Sequence, residues 1–172
     1  MKRLPASLRN KAKKIKLLLL DVDGVLTDGR IIIDDRGVES KHFHVRDGQG
    51  IALLLGAGID VGFISARSSR AVSRRAEELG VRAVYQGVAD KVQTYNEIKR
   101  RRRLRDEEIA YIGDDIGDLG IFQQAGLAVS VADACRELAL GADMVTAAPG
   151  GKGAVREVAE LLLKAQRKWL SF

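Results

Sequence analysis

The sequence predicts an α/β fold in which helices cover both faces of a doubly wound, mostly parallel sheet. Two observations predict it. Apolar, β-rich runs alternate with segments of helical period, and the connections between them are short. The chain has 172 residues, enough for one domain with a sizeable core. Ligands of such sheets bind beyond the carboxyl ends of the strands, so the residues that follow each strand are the first candidates for a site.

The elements are predicted in chain order from the apolar runs and the helical periods. Strands are predicted over 15–21, 59–65, 83–86, 109–113, 127–131 and 144–147. Helices are predicted near 50–55, 69–79, 91–103, 117–124, 134–140 and 154–169. One insertion breaks the alternation, because 30–33 and 38–45 flank Asp34-Asp35-Arg36-Gly37 and predict a β-hairpin. We expect a single domain over 1–172, with a basic N-terminal segment at 1–14 and a flap and last helix over 148–172.

Composition narrows the class of protein. The net charge is +6, concentrated in 1–16 and in Lys99–Arg103, but no aromatic residues or nucleic-acid motifs accompany it. We expect mainly solvated helix faces and no nucleic-acid partner; a nucleic-acid patch and steering of an anionic substrate are the alternatives. Cys135 is the only cysteine, which favours a reducing compartment, so the cytoplasm is expected. The apolar run 15–20 is too short to span a membrane, and no insertion is expected.

Polar residues follow the predicted strands in an ordered series. Asp21 and Asp23 follow the first strand, Ser65 ends the second, Lys91 opens the helix after the third, and Asp114 follows the fourth. Asp and Gly also form ordinary turns at strand ends, so each motif alone is weak. Together they suit phosphoryl transfer, because carboxylates hold Mg²⁺, an Asp can act as nucleophile, and a hydroxyl and an ammonium neutralise phosphoryl oxygens. A second acid near the nucleophile could transfer the proton.

The motifs DVDGVLTDG, ISAR, Lys91 and YIGDDIGD resemble those of the haloacid dehalogenase-type phosphatases, which have a Rossmann-like fold. The resemblance implies Asp21 as nucleophile, Asp23 as general acid/base, and Ser65 and Lys91 as phosphate ligands. It implies Mg²⁺ bound by Asp21, Asp114 and the backbone carbonyl of Asp23. Asp115 and Asp118 match the acidic motif and are expected to support the site.

A closer resemblance extends from about Ile15 to Gln166, through FHVRDGQG, YQGVADK, AGLAVSVADA and GGKGAVREV. The chain is similar to the 3-deoxy-D-manno-octulosonate 8-phosphate phosphatase family, which supplies the sugar acid of lipopolysaccharide. The nonulosonate 9-phosphate phosphatases are the close alternative. The resemblance implies a phosphorylated sugar-acid substrate, with Asp23 and Lys91 among its contacts; the further candidates are His44, Val45, Arg46, Asp47, Gly48, Ala52, Arg67 and Arg75.

Two residues depart from the usual family pattern. His44 stands where Asn is usual and Ala66 where Gly is usual, which bears on the identity of the sugar acid rather than on the phosphoryl chemistry. His44 is expected either to bond a sugar hydroxyl or to be a simple hairpin residue. Arg46, Arg67 and Arg75 suit a carboxylate because guanidinium matches two oxygens, although each is also an ordinary surface residue. His42 is expected to be structural.

The short gaps between motifs leave no room for a cap domain, so the site needs another means of excluding water. We expect a neighbouring subunit to do this, because the hairpin has half-apolar edges, and the family resemblance implies a homotetramer. Segment 148–153 is either a turn before the last helix or a mobile flap that brings Lys152, with Arg156 nearby, to a substrate. Two other functions remain open: a receiver-like signalling domain, and a non-catalytic assembly module that retains this fold.

Overall fold

Four consecutive leucines form the central strand, β1 (Leu17–Leu20), of a computed structural model that describes residues 5–169. β1 is fully buried between two parallel neighbours. Leu17 and Leu19 face one hydrophobic core and Leu18 and Leu20 face the other, as the alternation of side chains along a strand requires. Burial on both faces is the reason for the unbroken apolar run in the sequence.

The six predicted strands form one parallel sheet. The remaining strands are β4 (Asp60–Ile64), β5 (Ala83–Tyr85), β6 (Ile109–Gly113), β7 (Leu127–Ser130) and β8 (Met144–Val145). Their order across the sheet is β5-β4-β1-β6-β7-β8. The chain therefore moves outward from β1 through β4 and β5, then returns to the other side of β1. The crevice beside β1 where the direction reverses is where such folds bind ligands.

Helices cover both faces of the sheet, which confirms the predicted fold class. One face packs against α1 (Ala6–Lys14), α2 (Val45–Gly56), α3 (Arg70–Leu79) and α7 (Ala154–Ala165). The other packs against α4 (Lys91–Arg102), α5 (Leu119–Phe122) and α6 (Arg136–Gly141). Short 3₁₀ turns cover Asp106–Glu108 and Ile116–Asp118, so the predicted helix 117–124 is α-helical only over the four residues of α5. None of the helices described is long and apolar enough to cross a membrane.

The basic segment at the N-terminus contributes to the core. Leu8 and Ala12 of α1 are buried, and the Gln166 amide donates to the carbonyls of Ala12 and Ile15 at 3.2 and 2.8 Å. Residues 1–4 of the predicted segment 1–14, and residues 170–172 of the predicted C-terminal part, lie outside the described residues. The lysines at the end of α1 lie at the negative end of the helix dipole, which favours cations there.

The hairpin exists but is much shorter than predicted. It consists of β2 (Ile32–Ile33) and β3 (Glu39–Ser40), joined by a turn in which Gly37 has a φ of 78°. The prediction of a strand over 38–45 was wrong beyond Ser40.

The helix that follows begins at Val45, five residues before the predicted start. β-branched Val45 and two glycines weaken the helical signal there. One of these glycines lies where α2 and α7 cross closely: a Cβ at Gly50 would lie 3.1 Å from the Arg156 Cα, a tight contact.

The last helix is shorter than predicted. Predicted over 154–169, it ends at Ala165, and Arg167 then adopts a left-handed φ of 58°.

Between Asp21 and Ser65 the chain holds only the hairpin, α2 and β4, and between Lys91 and Asp114 only α4, a 3₁₀ turn and β6. Neither stretch contains a cap domain, as the short spacings predict.

Candidate active site

Three adjacent strands bring the predicted catalytic groups to one edge of the sheet. Asp21 follows β1, Ser65 follows β4 and Asp114 follows β6, and β1 lies between the other two. Lys91 is the first residue of α4, which follows the outer strand β5. Asp21 shares the strand face of Leu17 and Leu19, the face that packs against α4, and this places it beside Lys91.

Lys91 joins two buried carboxylates. Its Nζ lies 2.8 Å from Asp21 Oδ2 and 2.7 Å from Asp118 Oδ1. Asp118 Oδ1 also accepts the Tyr111 hydroxyl at 2.7 Å, and its Oδ2 accepts the Asp114 backbone N–H at 3.1 Å. Asp118 is therefore a fully buried support whose oxygens are held by donors on three sides. Sequence reasoning missed Tyr111, which looks like one more buried residue of β6.

The acidic cluster fits a divalent cation. Carboxylate oxygens of Asp21, Asp114 and Asp118 lie within 4.8 Å of one another. Hard oxygen donors of this kind are what Mg²⁺ and similar cations prefer. Asp114 is the best candidate ligand, because within residues 5–169 no hydrogen bond to its carboxylate is found.

The electrostatics of the cluster favour the binding of a cation. Burial, followed by repulsion from Asp21 and Asp118, raises the pKa of Asp114 to about 7. Burial also raises the pKa of Asp21 to about 6, although Lys91 opposes the shift. Burial by itself would lower the pKa of Lys91, but attraction from Asp21 and Asp118 holds it above its ordinary value. A bound cation would favour the ionised form of both raised acids.

Gly24 lets the chain leave β1 beside the cluster. Its φ is 86°, and a Cβ there would lie 1.9 Å from Asp114 Oδ2. Glycine is required on both counts, because other residues disfavour this backbone conformation and any side chain would displace the Asp114 carboxylate.

Asp23 lies in a separate group of charges beside the cluster. Its Oδ1 forms an ion pair with Lys41, and its Oδ2 lies 3.6 Å from Arg67 Nε. Arg67 Nη2 also donates to Glu39 Oε1 at 2.8 Å. The structure thus brings the predicted acid/base and the predicted substrate residue Arg67 together. It adds Glu39 and Lys41 of the hairpin, which sequence reasoning did not select.

Ser65 and Asp115 differ in how they relate to the cluster. Ser65 is buried, and its hydroxyl accepts the Arg67 backbone N–H at 3.2 Å, which fixes the turn after β4. Asp115 is exposed, and its side chain accepts the Ile116 N–H at 2.8 Å at the start of a 3₁₀ turn. Asp115 therefore shapes the loop, whereas Asp118 contacts the cluster directly.

The other predicted substrate residues lie on α2 and α3. Val45, Arg46 and Ala52 are exposed on α2. Gly48 is buried against Arg75, whose guanidinium donates to Glu78 at 2.7 Å and lies 5.9 Å from the centre of the Phe43 ring. His44 precedes α2, and its buried Nδ1 has no hydrogen-bond partner within the described part of the chain.

Asp47 has a clear structural contact. It is only 1% exposed, and its two oxygens accept the backbone N–H groups of Gly153 and Arg156 at 3.1 and 2.8 Å. Both donors lie at the start of α7, where N–H groups have no partner within the helix. Asp47 therefore caps α7 from a different helix and couples α2 to the glycine segment before α7. Burial raises the pKa of its carboxyl.

The glycine segment 148–153 packs on the loop that follows β1 in its own chain. Gly151 N–H donates to the Val25 carbonyl at 2.9 Å, and Gly150 N–H donates to Asp133 at 2.9 Å. A Cβ at Gly150 would lie 1.7 Å from the Gly24 carbonyl oxygen. The segment thus buttresses the loop that carries Gly24, while Lys152 is exposed. A mobile flap remains a prediction.

Comparison with known proteins agrees with this geometry. The family model of haloacid dehalogenase-like hydrolases matches residues 80–157. A curated 3-deoxy-D-manno-octulosonate 8-phosphate phosphatase (KdsC) of Yersinia pestis is 46% identical over 158 residues, which cover 92% of this chain and 84% of that protein.

Solved structures show the same relation. The crystal structure of the phosphatase of that name from Yersinia pestis has a TM-score of 0.95 and 43% identity, covering 96% of this chain and 90% of the other. The Moraxella catarrhalis phosphatase, in complex with a magnesium ion, a phosphate ion and a KDO molecule, has a TM-score of 0.93 and 43% identity. The match covers 94% of this chain and 93% of that one. The chain belongs to the 3-deoxy-D-manno-octulosonate 8-phosphate phosphatase family of haloacid dehalogenase-like hydrolases.

Proposed function

We propose that this chain is a Mg²⁺-dependent phosphoric monoester hydrolase that converts 3-deoxy-D-manno-octulosonate 8-phosphate to the free sugar acid and phosphate, a step in lipopolysaccharide precursor synthesis. The observation that carries the proposal is the position of Asp21. It lies at the end of a fully buried strand, 2.8 Å from Lys91 and within 4.8 Å of a carboxylate oxygen of the candidate metal ligand Asp114. The similarity over nearly the whole chain supports the choice of substrate.

The chemistry has two balanced steps. A carboxylate oxygen of Asp21 attacks phosphorus, the P–O bond to the sugar breaks, and Asp23 gives its proton to the leaving alcohol. Water then attacks the aspartyl-phosphate, Asp23 takes a proton from it, and Asp21 and inorganic phosphate are released. Ser65 and Lys91 hold the phosphoryl oxygens during both steps.

Asp21 and Asp114 are the side chains that would hold the cation, and the predicted third ligand is the backbone carbonyl of Asp23. A bound divalent cation supplies positive charge that offsets repulsion between the Asp21 carboxylate and the phosphate dianion. Lys91 supplies a second, permanent positive charge, held in place by its 2.7 Å contact with Asp118.

The substrate's carboxylate needs a positively charged side chain as its partner. Of the predicted arginines, Arg67 is the best placed to bind it. Its side chain is 44% exposed and lies beside Asp23, so it can reach a ligand at this edge of the site. We propose that His44, Val45, Arg46, Gly48, Ala52 and Arg75 complete the sugar-acid pocket. Asp47 belongs to that pocket through its hold on α7 and the glycine segment.

We also propose that the enzyme is a homotetramer and that the catalytic unit is one domain in the cytoplasm. The hairpin supports assembly because Ile31, Ile33 and Val38 expose more than half of their surface. Exposed apolar residues gathered on a short two-stranded element favour burial against other copies.

The test is phosphate release by the purified chain with Mg²⁺, with octulosonate 8-phosphate, a nonulosonate 9-phosphate and glucose 6-phosphate compared at equal concentration. We expect the highest kcat/KM on octulosonate 8-phosphate, and no turnover by a folded Asp21→Asn variant. A higher kcat/KM on the nonulosonate ester would transfer the assignment to that substrate. Turnover by Asp21→Asn would contradict the nucleophile.

A further inference from the structure

Lys41 of the hairpin is a buried cation that the mechanism above does not use. Its side chain is 1% exposed, although it directly follows the exposed Ser40 at the end of the short strand β3. Its partners are Asp23 Oδ1 and, at 3.5 Å, Glu39 Oε1. Lysine is almost never buried to this extent unless it is paired. The pair that it forms is with the carboxylate to which the proposed function assigns proton transfer.

The two oxygens of Asp23 have different surroundings. Oδ1 contacts the buried Lys41 ammonium, whereas Oδ2 faces Arg67, whose side chain is 44% exposed. Arg67 therefore has room to turn toward a ligand, whereas Lys41 is enclosed. Glu39 Oε1 contacts both cations, at 3.5 Å from Lys41 Nζ and 2.8 Å from Arg67 Nη2.

We propose that Lys41 is a positioning residue that holds Asp23 Oδ1, so that Oδ2 is directed at the leaving oxygen and later at water. The inference rests on the proposed function, because it concerns the residue that transfers the proton there. Lys41 acts through Asp23 and makes no contact with the reacting atoms itself. A short hairpin thus orders the acid/base in addition to its part in assembly.

Leaving groups of different basicity distinguish this role from a purely structural one. A sugar alkoxide needs a proton as it departs, whereas p-nitrophenolate leaves readily without one. If Lys41 orients Asp23, its loss will slow release of the sugar far more than release of p-nitrophenol. If Lys41 only fastens the hairpin, both rates will fall together.

The experiment is single-turnover release of each leaving group with Mg²⁺ and the enzyme in excess, for wild type, Lys41→Met and Lys41→Arg. For Lys41→Met we expect sugar release to slow by roughly 10- to 100-fold, part of the effect of general acid catalysis, and p-nitrophenol release to change by less than about threefold. Lys41→Arg keeps the charge and restores part of the sugar rate. Arg36→Met removes an exposed hairpin ion pair with Asp34 and serves as the matched control, with both rates unchanged.

Both rates are measured on one preparation, so a loss of folded protein lowers both and leaves their ratio unaffected. An unchanged ratio in Lys41→Met, with wild type active on the sugar acid, would overturn the role of Lys41 alone. Failure of wild type to release the sugar would instead overturn the proposed function.

Discussion

Asp114 allows a test of the cation site without any substrate. Its carboxylate is partly buried near two other acids, and its pKa is raised to about 7 from an ordinary value of 3.8. The shift of about three pKa units corresponds to an upper limit of about 4 kcal/mol, at about 1.4 kcal/mol per unit. Partial exposure and screening by solvent reduce this to roughly 1–3 kcal/mol. We therefore expect Asp114→Asn to stabilise the metal-free protein at pH 8 by that amount.

The direction of the pH dependence follows from the raised pKa values. Between about pH 4 and 7 the Asp114 carboxyl binds more protons in the folded state than in the unfolded state, so this group makes the metal-free wild type lose stability as the pH rises from 5 to 8. Asp21, with a pKa raised to about 6, acts in the same direction. Asp114→Asn removes the larger of the two pKa shifts, so the stability of this variant changes less with pH than that of wild type.

The assay is urea unfolding between pH 5 and 8, in chelator and in Mg²⁺. Saturating Mg²⁺ stabilises only a protein that binds it, by about 2.7 kcal/mol at 100 times the Kd. We expect this gain in wild type and its loss in Asp114→Asn. Asp115→Asn, at the exposed neighbouring position, is the control: it keeps the wild-type gain in Mg²⁺ and is much less stabilised in chelator than Asp114→Asn, because Asp115 has only a minor influence on the pKa of Asp114. The reasoning is refuted if Asp114→Asn is less stable than wild type at pH 8 in chelator.

Three further predictions concern the loop, the helix cap and the hairpin. Gly24→Ala places a Cβ against Asp114, so we expect at least a tenfold loss of Mg²⁺ affinity by calorimetry, and roughly 1–2 kcal/mol of strain from the left-handed backbone. Asp47→Ala leaves two N–H groups at the start of α7 without acceptors and costs roughly 2–3 kcal/mol of unfolding free energy in urea, while Asp47→Asn costs less. Ile33→Glu places charge on the apolar hairpin, so light scattering should report a smaller assembly than for wild type.

Each of these three predictions has a control variant or an outcome that would contradict it. Gly37→Ala has the same backbone strain at a φ of 78° but open space around it, so equal Mg²⁺ affinities for Gly37→Ala and Gly24→Ala would rule out the steric argument. If Asp47→Ala has the same midpoint of urea unfolding as wild type, the cap contributes nothing to the free energy of unfolding. Leu140→Glu alters an exposed apolar residue on α6. If it reduces the mass of the assembly as much as Ile33→Glu does, the hairpin has no special role in assembly.

Much of the fold and the central site could be predicted because each depends on local patterns. Leu17–Leu20 form a strand buried on both faces, and this burial produces the apolar run from which the strand is predicted. Parallel strands end at one edge, so Asp21, Ser65 and Asp114 converge whatever the detailed packing.

The rest depends on contacts between distant segments. Burial of Lys41 requires the hairpin to dock beside the end of β1, and no local pattern reports that docking. The early start of α2 was missed because β-branched Val45 and Gly48 weaken the helical signal ahead of the predicted start at Gly50. From the sequence, Asp47 is predicted to be a substrate contact. Its hydrogen bonds to the start of α7, which is distant in the chain, identify it as a helix cap.

The most direct test of the account is to locate the phosphoryl group on the enzyme during turnover. Asp23→Asn with p-nitrophenyl phosphate and Mg²⁺ can undergo transfer, since the leaving group needs no proton, but lacks the base for hydrolysis. We predict that acid quenching and peptide mass spectrometry will find phosphate on Asp21. Phosphate on another residue, or p-nitrophenol release with no phosphorylated peptide, would contradict the account.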